Sequence, residues 1–286
     1  MNGSRYEMLL KVIETGSITR TAEYYNYTQS AVSQAVKHLE EELGVRIFNR
    51  KNRTIELTKD GEYLLPAIRE IVTGERQLID RTSEIQKLQT GVIRIGAYTS
   101  MSCHWLPQRL SRFREKYPNV NFELRQGDSQ LLRGWLKDGT VDVLFIMDLH
   151  DKDFDFIKLF EDKMVVLVPP DHPLAKRKTI NVKDLKNRQL IMPESDYDMM
   201  LQKMFADSGF DPEIAFMVKE DYTIMSMVEN RLGVSILPEY VLQRNPYDIK
   251  ILPLRKGCKR ELGIMMRRGE PLSWAVEKFI EFAVHS

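Results

Sequence analysis

Between Thr28 and Glu40 the apolar and polar positions recur with the period of a helix. Val32, Val36 and Leu39 share one side at i, i+4 and i+7. On the opposite, polar side of the helix, short amides and hydroxyls can hydrogen-bond to base edges in a major groove about 12 Å wide, and a lysine can reach phosphate. Alone, the pattern also fits an ordinary amphipathic surface helix. The opposite side is short, polar and free of acids: Gln29, Ser30, Ser33, Gln34 and Lys37.

The preceding residues predict two further short helices. An apolar stripe from Tyr6 to Ile13 predicts a helix that ends at Gly16, because glycine accepts the left-handed conformation that stops a helix. A second helix then runs to about Tyr25, and Thr28 is the expected N-cap of the third after a tight turn. Three short helices with this spacing are typical of a helix-turn-helix unit, whose last helix lies in the major groove. Nucleic-acid binding is therefore favoured.

A basic hairpin follows this unit. Val45–Phe48 and Thr54–Leu57 read as short strands joined by a polar turn. From Arg46 to Thr54 the chain carries four cations and no acid, whereas residues 1–60 contain nine Lys and Arg against eight Asp and Glu. Charge focused at a hairpin tip can neutralise phosphates and make binding steeply salt-dependent; a solvated turn is the alternative. The four cations are Arg46, Arg50, Lys51 and Arg53.

A long helix is predicted from Thr58 to Gln89. Apolar residues recur in it every seven positions, which predicts packing against a partner helix. The stripe could instead pack on the chain's own domains. At 1.5 Å per residue the helix would extend ~48 Å. The repeating positions are Leu64, Ile71, Leu78 and Ile85, with Ile68 and Leu88 beside them.

After Gly91 strands alternate with helices, which predicts an α/β architecture with a parallel sheet. A helix beginning near Pro107 follows the first strand, and further helices are expected over 131–136, 197–208, 223–231 and 273–284. The expected strands are residues 92–97, 120–124, 141–146, 164–168, 189–192, 214–218, 233–238 and 262–266.

Length and composition restrict the class of protein. The chain has 286 residues, of which 43% are hydrophobic and 29% charged, so it can bury more than one core. No stretch approaches the ~20 apolar residues that span a bilayer, and no secretory signal pattern is present. Cys103 and Cys258 form neither a disulfide framework nor a zinc set, so we expect no membrane association and a reducing cytoplasm.

The motifs in both halves resemble one family, the LysR-type transcriptional regulators. The second half resembles their effector-binding domain, which is similar to type II periplasmic binding proteins, through Tyr117-Pro118, Gly139–Asp142, Asp171–Ala175 and Gly233–Pro238. The first sixty residues resemble the family's winged helix-turn-helix through Glu14–Ala22, Gln29–Ser33, Leu39–Val45, Phe48–Arg50 and Leu57–Gly61.

The resemblance implies three parts and an assembly. A winged helix-turn-helix over 1–58 is followed by a linker helix over 59–90 and an effector domain over 91–286. Its lobe I would hold 92–161 with 268–286, and its lobe II 162–267. The family's linker helices pair antiparallel, which implies a homodimer, or a homotetramer made as a dimer of dimers, on a near-palindromic promoter site. RNA polymerase is a candidate partner.

The expected DNA contacts divide by role. Side chains on the polar face of the third helix would read bases, and the others would hold the sugar-phosphate backbone. The base readers are Gln29, Ser30, Ser33 and Gln34; the backbone contacts are Thr28, Lys37, Arg50 and Arg53.

Polar stretches on four loops predict an effector site in the cleft between the lobes. Each stretch could equally cap a helix, and their convergence is implied by the resemblance. An anionic metabolite is expected, although the acids could instead select an amine or a zwitterion. The residues are Thr99, Ser100 and Ser102; Gly127, Asp128 and Ser129; Pro193, Glu194 and Ser195; and Asp221 and Thr223.

Signals for catalysis and for metals are weak. Cys103 adjoins His104, but no third group is identifiable, and a catalytic thiol, a redox sensor and an inert cysteine remain open. The five histidines are scattered without ligand spacing, and no phosphate-binding glycine loop occurs. We therefore predict a ligand-responsive regulator of double-stranded DNA without cofactor, metal or enzymatic activity. The alternatives are a sensor that acts through a protein partner, and an enzyme using the cleft.

Overall fold

Three helices form at the N-terminus where the sequence predicts them. The computed structural model describes residues 4–49, 55–86, 90–194 and 198–285. The side chains of Ser4, Ser17 and Thr28 each accept a backbone hydrogen bond as N-caps, and Gly16 ends the first helix at φ +62°. The predicted cap Thr28 and the predicted stop Gly16 are thus confirmed. The helices are α1 (Arg5–Thr15), α2 (Ile18–Tyr25) and α3 (Gln29–Leu43).

In the part of the predicted wing that the structure describes, the strands form a ladder of two residue pairs. β1 (Phe48–Asn49) pairs antiparallel with β2 (Glu56–Leu57), with Phe48 opposite Leu57. Residues 50–54, which hold most of the predicted turn, lie outside the described residues. The buried side chains of this unit come from all three helices, the wing and the next helix, and they include Leu9, Val12, Val32, Val36, Leu39, Ile47, Phe48 and Ile68.

The long helix α4 (Lys59–Ile85) divides its heptad stripe between two environments. Ile68 and Val72 are buried, and Leu64 packs against the core of the N-terminal helices. The later heptad positions are exposed: 41% for Ile71, 68% for Leu78 and 82% for Ile85. Leu88 lies outside the described residues.

The chain divides into two compact units. The first comprises residues 1–91 together with 137–140, and within it Asp138 forms an ion pair with Arg69 of α4. The second comprises residues 92–136 and 141–286. In the described ranges no helix combines the length and the apolar content needed to cross a membrane.

Strands and helices alternate in the second unit. The described strands form a sheet in the order β4-β3-β5-β11-β6-β9-β7-β8, with β10 attached to β6. The strands are β3 (Gly91–Ala97), β4 (Val120–Gln126), β5 (Val143–Met147), β6 (Phe154–Val168), β7 (Gln189–Pro193), β8 (Glu213–Val218), β9 (Val234–Pro238), β10 (Lys250–Pro253) and β11 (Lys259–Arg267); the helices are α5 (Leu106–Lys116), α6 (Ser129–Lys137), α7 (Asp198–Asp207), α8 (Asp221–Glu229) and α9 (Trp274–His285).

The sheet is mixed, so the prediction of a parallel sheet was wrong. β3 runs parallel to β5, and β7 is parallel to β8 and β9, but β11 is antiparallel to β5 and β6, and β6 is antiparallel to β9. The cause is the 15-residue strand β6, of which only the apolar end was predicted. Its first ten residues include five charged side chains, which hide the strand from a reading based on apolar runs. β10 was also missed.

Buried side chains define two lobes in this unit. Lobe I surrounds a core that includes Ile93, Phe113, Phe145 and Phe279. Lobe II has a core on each side of its sheet, because alternate residues of β6 point to opposite faces. The end of β11, from Leu262 to Met266, packs in the core of lobe I. The chain therefore returns to lobe I just after Arg260, a few residues before the boundary after 267 that the sequence predicts.

Candidate nucleic-acid interface and effector site

Helix α3 exposes the polar side that the sequence predicts. Thr28 caps it by accepting a hydrogen bond from the N–H of Ala31 at 3.2 Å. Its apolar side, formed by Val32, Val36 and Leu39, is buried. Gln29, Ser30, Gln34 and Lys37 are exposed, and Ser33 is half-buried. Short donors and acceptors therefore line one surface of a helix whose opposite side is held by the core.

The second half of α3 is tied to the wing. One carboxylate oxygen of Glu40 accepts hydrogen bonds from the backbone N–H groups of Ile47 at 2.8 Å and Phe48 at 3.0 Å. A groove of about 660 Å³ lies between the helix and β1, and Lys37, Glu41 and Arg46 are among the residues that line it. Arg50 and Arg53 lie outside the described residues.

Lys37 is engaged within its own helix. Its Nζ atom lies 3.4 Å from a carboxylate oxygen of Glu41, one turn later. Both side chains are well exposed, so the pair is worth well under about 1 kcal/mol. A phosphate could therefore replace Glu41 as the partner of Lys37 at small cost.

In lobe I, the first predicted effector loop has one exposed and two buried hydroxyls. Thr99 is exposed, whereas Ser100 and Ser102 are buried. The hydroxyl of Ser102 donates to the carbonyl of Thr99 at 3.1 Å and accepts from the side-chain amide of Gln126. The hydroxyl of Ser100 accepts from Nη2 of Arg260 at 3.2 Å. Protein groups already satisfy both buried hydroxyls.

The second predicted loop of lobe I meets lobe II directly. Asp128 caps α6 by accepting from the N–H of Leu131 at 3.0 Å, and its other oxygen lies 3.2 Å from Nζ of Lys219. The hydrogen bond from Leu131, and then that from Lys219, lower the pKa of Asp128. Asp128 is thus partly neutralised by a cation of the opposite lobe. Gly127 and the buried Ser129 flank it.

The predicted loops of lobe II follow β7 and β8. Pro193 is buried at the end of β7, and the N–H of the exposed Glu194 donates to the carbonyl of Val218 at 2.9 Å. Asp221 begins α8 and Thr223 is exposed in its first turn. Ser195 lies outside the described residues.

A buried ion pair that the sequence reasoning missed lies beside Ser100. Asp162 and Arg260 have side chains only 2% and 4% exposed, and one oxygen of Asp162 accepts from Nε at 3.0 Å and Nη2 at 2.8 Å. Burial raises the pKa of Asp162, and the opposing influence of Arg260 is smaller. The sequence signal for this pair was the position of Asp162 and Arg260 close to the start of two apolar strand segments, 164–168 and 262–266.

The ring of His104 contacts the ring of Tyr240, a residue of the turn after β9 whose side chain packs against the core of lobe I. The two rings meet edge to face at a centroid distance of 6.1 Å, and Nε2 of His104 is buried without a hydrogen-bond partner in the structure. Burial lowers the pKa of His104, while a hydrogen bond with the backbone of Val241 acts in the opposite direction. Burial therefore favours the neutral form of the ring. Among the described residues, no three His, Cys, Asp or Glu side chains gather as a metal site.

Comparison with known proteins identifies the family. The helix-turn-helix model of bacterial regulatory proteins of the lysR family matches residues 4–62, and the LysR substrate binding domain matches residues 86–286. The HTH-type transcriptional regulator YvbU of Bacillus subtilis strain 168 is 30% identical over 286 residues, covering 99% of this chain and 98% of YvbU. The sequence similarity therefore extends through both units.

Solved structures share the fold of this chain. Full-length CbnR in complex with its target DNA matches with a TM-score of 0.72 at 20% identity, covering 98% of each chain. The effector-binding domain of QuiR in complex with shikimate matches with a TM-score of 0.64 at 24% identity, covering 68% of this chain and 96% of that domain.

The chain belongs to the LysR family. It is a ligand-responsive transcriptional regulator with a DNA-binding helix-turn-helix and a two-lobed α/β effector-binding domain.

The two cysteines should react at different rates. Cys103 is exposed and Cys258 is half-buried, and burial raises the pKa of the Cys258 thiol. Because the thiolate is the reactive form, labelling of the native protein near pH ~8 should be at least about tenfold slower at Cys258. Cys103→Ser should remove the fast phase of an absorbance trace with an aromatic disulfide, and Cys258→Ser the slow phase. A fast phase that survives Cys103→Ser would contradict the assignment.

Proposed function

We propose that this regulator reads promoter DNA with the exposed face of α3. The observation that carries the proposal is the separation of α3 into a buried apolar side and an exposed polar side. Gln29, Ser30, Ser33 and Gln34 would bond base edges in the major groove. Thr28 and Lys37, together with Arg50 and Arg53 at the wing, would hold the backbone. The DNA-bound CbnR structure, which shares the fold, supports this arrangement.

Substitutions on α3 should separate positioning from reading. Lys37→Ala should weaken binding to all duplexes and reduce the slope of log K against log salt by about one, because one phosphate contact is lost. Ser33→Ala and Gln34→Ala should instead change base preference. Glu41→Gln should strengthen duplex binding, because it frees Lys37 and removes an acid close to phosphate.

These effects can be measured by fluorescence anisotropy, with labelled duplexes at several salt concentrations. Lys203→Ala is the matched control, since Lys203 is an exposed lysine of α7 in the other unit. Unchanged affinity, salt slope and base preference in all the α3 variants would refute the proposed interface.

We further propose that the exposed part of the α4 stripe joins two chains. Ile71, Leu78 and Ile85 lie on one side of α4 and are exposed in the single chain. Antiparallel pairing of two such helices would bury these side chains and present two recognition helices related by a two-fold axis. A near-palindromic site has the matching symmetry.

A homotetramer built as a dimer of dimers would use further surfaces of the effector domain. The edge strand β8 exposes Ile214, Phe216 and Met217, and an uncovered apolar edge favours association. RNA polymerase remains a proposed partner, with the cytoplasm as the proposed location.

Leu78→Asp should disrupt the pairing of linker helices. A carboxylate placed in an apolar interface costs several kcal/mol, so the dissociation constant should rise at least ~100-fold. Sedimentation velocity at micromolar concentration should then show a smaller species. Tyr63→Asp is the control, because Tyr63 is 86% exposed on the same helix but lies off the stripe. Equal sedimentation of both variants and the parent would place the interface elsewhere.

For the effector we propose a small metabolite that carries a carboxylate or is zwitterionic. Lys219 offers a cation at the rim of the predicted cleft and Asp128 an anion, while Thr99 in lobe I and Thr223 in lobe II are exposed. The proposed site binds its ligand without converting it. The shikimate complex of QuiR, whose ligand carries one carboxylate, supports this class.

A ligand-binding screen tests this proposal. A bound compound at a hundredfold its Kd adds about 2.7 kcal/mol to the free energy of unfolding, which thermal melting detects readily. Among carboxylated, zwitterionic and cationic metabolites, the first two classes should raise Tm, and Lys219→Met should reduce the rise for carboxylates. Lys203→Met is the control. If only cationic metabolites raise Tm, the proposal that the effector carries a carboxylate is wrong. If a stabilising compound is converted to product, the alternative of an enzyme that uses the cleft is favoured.

A further inference from the structure

The buried ion pair of Asp162 and Arg260 lies where the chain passes between the lobes. The two residues face each other in the antiparallel ladder of β6 and β11, the strands that carry the chain from one lobe to the other. A bulge follows in the same ladder, where Gly263 lies against the backbone of Ile157 so closely that a Cβ would be 2.2 Å from its carbonyl oxygen. Bulges bend strands, so this part of the ladder is the natural bending point.

The two oxygens of Asp162 serve different lobes. Oδ2 holds Arg260, whose Nη2 also donates to Ser100 in the first effector loop of lobe I. Oδ1 accepts from the backbone N–H of Tyr240 at 2.9 Å, in the turn that follows β9 of lobe II. A continuous set of hydrogen bonds therefore runs from Ser100 to Tyr240 through a single carboxylate.

Stability alone does not account for this pair. Removing two charges from water costs several kcal/mol per ion, and well-packed apolar residues of similar volume are often as stabilising as a buried ion pair or more so. Fixing a particular geometry is the best-supported alternative role for such a pair. The geometry in question is the separation between the loop that carries Ser100 and the turn that carries Tyr240.

We propose that Asp162 and Arg260 are positioning residues of the effector site, which hold the loop of Ser100 and the turn of Tyr240 at one separation and so set the closure of the two lobes. The inference deepens the proposed function, because the loop of Ser100 is part of the proposed effector site. The pair keeps the lobes in one arrangement in the absence of a ligand. An effector therefore acts on a defined starting geometry.

The test replaces the pair without leaving a buried charge. Asp162→Leu with Arg260→Met preserves approximate volume, whereas either single change would strand one ion in the interior. The matched control is Glu161→Gln with Lys259→Gln, which removes the exposed ion pair one residue away on the same two strands, with its 2.6 Å contact. If the apolar pair prevents folding, Asp162→Asn with Arg260→Gln retains hydrogen-bonding groups without charge.

Distances between lobes are measured by pulsed electron paramagnetic resonance on the full chain. Spin labels are attached at two exposed positions, Gln108→Cys on α5 of lobe I and Lys203→Cys on α7 of lobe II. All variants also carry Cys103→Ser and Cys258→Ala, so that only the introduced cysteines are labelled. Labelled chains are diluted with unlabelled ones so that only distances within a chain contribute. The parent and the control should show one narrow population, and the folded pair variant should lose it and shift toward longer distances.

Folding is checked by thermal melting and near-ultraviolet circular dichroism. A folded pair variant with an unchanged distance distribution overturns the positioning role, even if its Tm falls, because a purely structural contact would change Tm alone. The positioning role is also overturned if the distance distribution of the control variant broadens as much as that of the pair variant. Neither DNA nor effector is present in this measurement, so its outcome is independent of the duplex-binding and ligand-binding tests.

Discussion

Burial of one side of α3 is the constraint on which the N-terminal unit depends. Val32, Val36 and Leu39 insert into a core made with α1, α2, the wing and α4, and this packing decides which side chains of α3 face outward. The caps at Thr28 and Gly44 set the length of the helix, and Glu40 anchors the wing strand to it. The polar face is therefore presented by a helix held at both ends and along its back, as the proposed reading of base edges requires.

In the effector-binding unit, β6 and β11 have the corresponding role. They are antiparallel neighbours in the middle of the sheet order, and the cores of both lobes form on them. Their charged residues divide by environment: Lys259 and Glu161 pair at the surface, while Arg260 and Asp162 pair in the interior. At the rim, Lys219 compensates Asp128 across the lobes. Charges near the predicted cleft are thus largely paired within the protein, so a ligand must compete with existing partners.

The contacts of several candidate residues change the role that the sequence suggests for them. Ser100 and Ser102 read as free hydroxyls in the sequence, but both are buried and bonded to protein groups, so Thr99 is the member of that loop available to a ligand. The heptad stripe of α4 is similarly divided, because its first part completes the helix-turn-helix core and its later part remains exposed. Spacing along a helix shows which residues share a side, but the amount of that side that is covered depends on what packs there.

The sequence by itself determined the helices of the N-terminal unit, their caps, the two faces of α3 and most strands of the effector domain. These features depend on residues within a turn or two of one another, and apolar periodicity, capping residues and glycine report such local interactions directly. Only the tertiary structure decided the antiparallel course of β6 and β11 and the pairings of Asp162 with Arg260 and Asp128 with Lys219. These partners are 98 and 91 residues apart, and no local pattern tells a charge that will be buried against a distant partner from one that will remain in water.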